Sequence, residues 1–261
     1  MKARLIVNAI TLLNAAFGIS AMTLLALGPE LGLSRPATLQ RAALLIIGAL
    51  GPDMLDGLLA RRWQTSSEVG AQLDVNADTT TFNLATALLI ALTPVYLVDV
   101  APLDAPGLLA LGVAGQLIYG GAALVRSARM VVIEPPRVAR GRYFWGMTTN
   151  QASLLTTALV LVAAELAPAW RRFGAAAVVA QAIVVAPLMV SRVLFADVPN
   201  HFVKGIVPRW PSLLCFGLGV GVGPAYGWAA FIYGYGVVPH LLRRPFGRRP
   251  VHESPPRPPS S

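Results

Sequence analysis

Apolar runs about as long as a bilayer is thick recur along the chain, and they decide what it can fold into. A helix needs roughly 20 mostly apolar residues to cross the hydrocarbon of a membrane. Such runs fall near residues 5–28, 37–60, 72–98, 106–128, 147–167 and 173–195. The stretch 211–242 has room for two more, short and Gly-rich. Lipid offers the backbone no hydrogen-bond partners, so the runs are read as helices. No alternation of apolar and polar residues points to a barrel. The expectation is an all-α, polytopic transmembrane bundle of six core helices, with two further C-terminal helices. Residues 1–242 make one membrane domain. The tail 243–261, rich in Pro, Ser and Arg, has no apolar period and reads as a disordered cytoplasmic extension.

The first run could be mistaken for a cleaved leader. It is long, and no A-x-A-like site precedes a polar mature start, so it is read as a retained first helix. The single cysteine, Cys215, sits in an apolar stretch and reads as a small packing residue.

Net charge is +9, and its distribution sets the orientation. With the N-terminus in the cytoplasm, 17 Lys and Arg fall inside. Four fall outside: Arg35, Arg41, Arg171 and Arg172. That asymmetry is the positive-inside pattern. A spread of cations along one membrane face suits anionic headgroups and gives no basis for a nucleic-acid partner. Arg137, Arg140 and Arg142, followed by Tyr143, Phe144 and Trp145, read as an interfacial loop, either a topological anchor or a phosphate contact.

Against this apolar background acidic residues need a reason. Only 13% of the 261 residues are charged, against roughly 25% in a soluble domain. Yet Asp53, Asp56, Asp74 and Asp78 cluster within GPDMLDGLLARRWQTSSEVGAQLDVNAD. Asp53 and Asp56 are i and i+3, and Asp74 and Asp78 are i and i+4, so each pair shares a helix face. Gly57 and Arg61 continue the stripe of Asp53. Two helices turning two carboxylates each toward one point make an oxygen-ligand site for a hard cation. Mg²⁺ or Mn²⁺ suits it, and Ca²⁺ is compatible. Two ions have room, an arrangement that clamps a transferring phosphoryl group. Asn8, Thr11 and Asn14, every third residue on the first run, put polar groups on one side of a spanning helix. They line a cavity or bond to neighbouring helices.

The spacing D-x2-D-G-x2-A-R-x8-G-x3-D-x3-D resembles the signature of the CDP-alcohol phosphotransferase family, and the resemblance covers roughly residues 5–195. It implies displacement of CMP from a CDP-linked lipid by an alcohol, and the charge asymmetry puts that site on the cytoplasmic face of the plasma membrane. Asp53, Asp56 and Asp74 are then metal ligands, and Asp78 both touches metal and acts as general base. Gly57, Ala60, Arg61, Gly70, Thr65 and Ser66, with Asn8 and Thr11 of the first helix, are candidates for the CDP-lipid. Gly57 leaves room for the nucleotide, and Arg61 supplies a planar, permanent cation for phosphate. A homodimer is also implied, and small residues on several runs suit it.

Three stretches bear on the acceptor. The opening NAITLLNAAFGISA, the Arg126-Ser127-Ala128-Arg129 tetrapeptide and Leu188–Arg192 resemble bacterial and archaeal phosphatidylserine synthases. An arginine near the metals suits the carboxylate of L-serine through a bidentate pair, which makes Arg126 and Arg129 the acceptor candidates. Two segments depart from those synthases: LDVNAD stands where LDSLAD is usual, and Gly146–Asn150 replaces a G-L-P-x-P-like segment. Inositol phosphate or glycerol 3-phosphate is the alternative acceptor, and a non-catalytic transporter or scaffold is the alternative outside enzymes. The donor is CDP-diacylglycerol or its ether analogue.

Overall fold

The computed structural model describes residues 2–65, 67–98, 105–132, 143–191 and 194–196. The anticipated helices in 211–242, Cys215, Ser66, the loop arginines 137, 140 and 142, and the tail lie outside the described residues.

The protein is an all-α membrane bundle. Its elements are α1 (Lys2–Leu27), α2 (Arg35–Gly48), α3 (Leu50–Trp63), α4 (Glu68–Asp78), a π-helical segment (Thr79–Ala85), α5 (Thr86–Leu97), α6 (Ala105–Val132), α7 (Thr149–Glu165) and α8 (Pro168–Val190). Five stretches are long and apolar enough to cross a membrane: Lys2–Leu27, Arg35–Trp63, Glu68–Leu97, Pro106–Arg129 and Pro168–Val190. The sixth anticipated span, α7, has 17 residues. It packs against α2, α5 and α8, and most of its side chains are buried in protein.

The buried face of α1 shows how the bundle is built. Val7, Thr11, Asn14, Gly18, Ala21 and Leu25 are covered, while Leu5, Ile6, Leu12, Leu13 and Ile19 are exposed. The covered residues recur at alternating gaps of four and three, a seam that follows one helix face. Polar and small residues turn inward and large apolar ones outward, as lipid rather than water as the surrounding solvent requires. At 1.5 Å per residue α1 is about 39 Å long, enough to cross a hydrocarbon core of about 30 Å. At Gly18 the seam is so close that an added Cβ would lie 2.8 Å from the Thr81 Cα. The α1 backbone therefore sits directly against the π segment, and Thr81 donates to the Asn14 carbonyl at 2.9 Å.

Local signals end and start the helices around the site. Gln64 adopts a left-handed conformation (φ 50°) that closes α3. Ser67 caps α4 by accepting from the Gly70 N–H at 3.1 Å. Thr148 and Gln151 form a capping box at the start of α7.

Two features were not anticipated. The third span is interrupted by the π segment, where the helix is locally underwound without a proline or glycine in Thr79–Ala85. Residues Tyr143–Trp145 (β1), anticipated as an interfacial loop, instead pair antiparallel with Leu194–Ala196 (β2), Tyr143 opposite Ala196. Gly146 follows at φ +74°, and a Cβ there would fall 3.1 Å from the Ser191 carbonyl oxygen. Only glycine permits both the left-handed turn and that approach. The Met147 N–H donates to Leu188 O at 3.0 Å, tying the entry of α7 to the end of α8.

Candidate active site

The four aspartates converge as the helical spacing requires. Asp53 and Asp56 lie on α3, Asp74 on α4, and Asp78 at the junction of α4 with the π segment. One carboxylate oxygen from each of Asp53, Asp56 and Asp74 lies within 4.8 Å of the others. Asp78 joins them through Asp53, whose carboxylate is within hydrogen-bond reach of its own.

Side chains from two further helices hold these carboxylates. On α1, Thr11 donates to Asp56 Oδ2 at 2.6 Å, and Asn14 Nδ2 donates to Asp78 Oδ1 at 3.0 Å. On α7, Asn150 Nδ2 donates to Asp53 Oδ2 at 3.1 Å. Hydrogen bonds to a charged group stabilise by roughly 1.5–3 kcal/mol each. They fix the oxygens in direction without cancelling their charge, because all three donors are neutral. Four clustered carboxylates within candidate membrane spans, three of them held by neutral donors, suit a hard divalent cation. The donor set therefore fits the metal inferred from the spacing, although the identity of the ion does not follow from it.

The remaining candidates divide by position. Gly57 lies beneath Arg61: a Cβ there would be 3.5 Å from the guanidinium Nη1. Arg61 is exposed, at the open end of α3, while Ala60 beside it is half-buried. Gly70 faces Asn8 across the α1–α4 contact, since a Cβ there would lie 3.4 Å from Asn8 Oδ1. Thr65 carries a buried hydroxyl without a hydrogen-bond partner. Arg61, Thr65, Asn8 and Gly70 thus sit on the segments that flank the carboxylates.

The arginines of α6 are treated differently by the fold. Arg129 Nη1 donates to the Val190 carbonyl at 2.7 Å and so caps α8. Arg126 is only 6% exposed, and its Nε and Nη2 have no hydrogen-bond partner. A buried guanidinium with free donors demands an anion.

Reasoning from the sequence missed Asn150 as a partner of the site. Its signal was present, a polar residue at the start of an apolar run, in the very segment that departs from the serine enzymes. The spacing pattern could not say which helix it would face. For Thr11, whose polar character on α1 was noted, the structure supplies the partner, Asp56.

A family model described as CDP-alcohol phosphatidyltransferase matches residues 4–197. No curated protein matches the chain.

Proposed function

Since the chain belongs to the CDP-alcohol phosphatidyltransferase family, we propose that it transfers a phosphatidyl group from CDP-diacylglycerol, or an ether analogue, to L-serine, releasing CMP. The proposal places this integral membrane protein in the plasma membrane, as a homodimer, with its site open to the cytoplasm. The observation that carries the acceptor is Arg126, a buried cation whose Nε and Nη2 are unpartnered.

In this reading Asp53, Asp56, Asp74 and one oxygen of Asp78 would hold Mg²⁺ or Mn²⁺, which supplies positive charge against the pyrophosphate and the departing CMP. Arg61 binds the donor's phosphate. Asp78 accepts the proton of the serine hydroxyl. The oxygen forms a bond to the phosphorus next to the diacylglycerol. The bond from that phosphorus to the CMP oxygen breaks, and its electron pair leaves with CMP. Asn14 keeps the Asp78 carboxylate aimed, and Asn150 does the same for Asp53.

A phosphorylated alcohol would also satisfy Arg126, so the deciding experiment is a screen. Purified enzyme is given radiolabelled CDP-diacylglycerol with serine, glycerol 3-phosphate or inositol phosphate, and the lipid product is identified. Release of CMP only with a phosphorylated alcohol overturns the serine assignment. With the accepted alcohol, Arg126→Ala is expected to raise its apparent KM about ten- to a hundredfold, the loss of a charge-assisted pair, with donor KM little changed. Arg61→Ala is expected to act on the donor. Arg129→Ala, which removes a helix cap, is expected to lower stability more than it alters acceptor KM.

Orientation has its own test. Leu31, exposed in the turn between α1 and α2, belongs to the side poor in Lys and Arg. In a Cys215→Ser background, Leu31→Cys is expected to react with a membrane-impermeant thiol reagent added outside intact cells. Reaction only after the membrane is opened would invert the topology.

A further inference from the structure

The π segment, where it faces α6, carries a further unsatisfied group. Asn83 is 1% exposed, and its Oδ1 has no hydrogen-bond partner. Its Nδ2 donates to Ser127 Oγ at 3.1 Å, which sets Asn83 beside the residue that follows Arg126. Tyr119, seven residues before Arg126 and on the same face of α6, donates to the Phe82 carbonyl at 3.0 Å. The two hydrogen bonds clamp the π segment to the Arg126 face of α6. Buried polar groups left unmade cost about 1–3 kcal/mol each. Here free donors on Arg126 and a free acceptor on Asn83, which is bonded to the next residue, Ser127, satisfy no partner.

The π geometry matters to where Asn83 stands. In a regular α-helix, residue 83 would be turned about 140° from Asp78. Bonding from i to i+5 brings position 83 back toward the side of Asp78, and such segments recur at functional sites. Asn83 therefore follows the candidate base into the membrane on the same side of the span.

A ligand that satisfies both residues carries an anion and, a few ångströms away, a hydrogen-bond donor, with a hydroxyl left for Asp78. The geometry points to Asn83 and Arg126 as two halves of one acceptor subsite for a zwitterionic alcohol: Arg126 takes its carboxylate, and Asn83 Oδ1 accepts from its ammonium. This rests on the serine reading above and adds a residue that determines specificity.

The test crosses acceptors with variants in the full-length enzyme. The acceptors are serine and 3-hydroxypropionate, which lacks the ammonium. The proteins are wild type, Asn83→Ala and Asn83→Asp. Wild type is expected to favour serine by about tenfold or more in kcat/KM, the worth of one charge-assisted bond. Asn83→Ala should bring that ratio near one by losing on serine alone, through KM, with donor KM unchanged. Asn83→Asp keeps an acceptor oxygen and adds a negative charge, so it should raise the serine preference above wild type by strengthening the ammonium contact while penalising 3-hydroxypropionate. Equal losses on both acceptors in Asn83→Ala would make Asn83 a packing residue and overturn the inference, with the serine reading intact. If Asn83→Ala does not fold, Asn83→Asp decides alone, and an unchanged ratio there overturns the inference. Wild-type activity confined to phosphorylated alcohols would overturn both readings together.

Discussion

Asp74→Asn is expected to fold, insert and release CMP at less than about a tenth of the wild-type rate at any Mg²⁺ or Mn²⁺ concentration, because it removes one anionic ligand from a hard-cation site. The substitution preserves shape, and no hydrogen bond from α1 or α7 depends on Asp74, unlike its three neighbours. A failure of activity is therefore separable from a failure to fold. Asp53→Asn and Asp56→Asn should be as damaging. There the Asn150 and Thr11 donors can still bond an amide oxygen, so the loss again reads as charge. The measurement is CMP release from CDP-diacylglycerol across a metal titration, alongside thermal unfolding of the same samples. A well-folded Asp74→Asn enzyme that keeps more than about a tenth of its rate would exclude Asp74 as an essential ligand.

Removing the candidate base should act differently, on turnover and not on metal dependence. Asp78→Asn is expected to lower kcat by about 10²–10⁴, the usual worth of a positioned general base. Acceptor KM should hold, since Asn83 and Arg126 are untouched. An amide at position 78 can still accept from Asn14, so the α1 contact survives. Steady-state kinetics in both substrates, with circular dichroism as a check on folding, separate the effects. A change confined to KM would assign Asp78 to binding and leave the proton without an acceptor on this chain.

Helical periodicity made the carboxylates legible. Asp53 with Asp56, and Asp74 with Asp78, share faces because of spacing along one helix, and spacing is written in the chain. The length of the apolar runs located α1, α6 and α8, and the inward seam of α1 follows from which of its residues are small or polar. The span 72–98 was located too, but not its π segment. A change from i+4 to i+5 bonding leaves the apolar pattern nearly unaltered, and here it coincides with the packing of Gly18 against Thr81 and with the Tyr119 hydroxyl at Phe82. α7 was anticipated as a span of ordinary length, yet its 17 residues are packed on α2, α5 and α8, so neighbours cover what lipid would otherwise meet.

By itself, then, the sequence determined the membrane class, the four acidic side chains and the pairing of each two on one face. Those properties arise within single helices, whose geometry is regular and local. Only the tertiary structure decided which helix answers each carboxylate: Thr11 for Asp56, Asn14 for Asp78, and Asn150 for Asp53 from 97 residues away. It also separated two arginines that look alike in the chain, Arg129 bound to the end of α8 and Arg126 buried with free donors. Contacts between helices depend on crossing angles and rotations set by the packing of the whole bundle, and no spacing along one segment contains them.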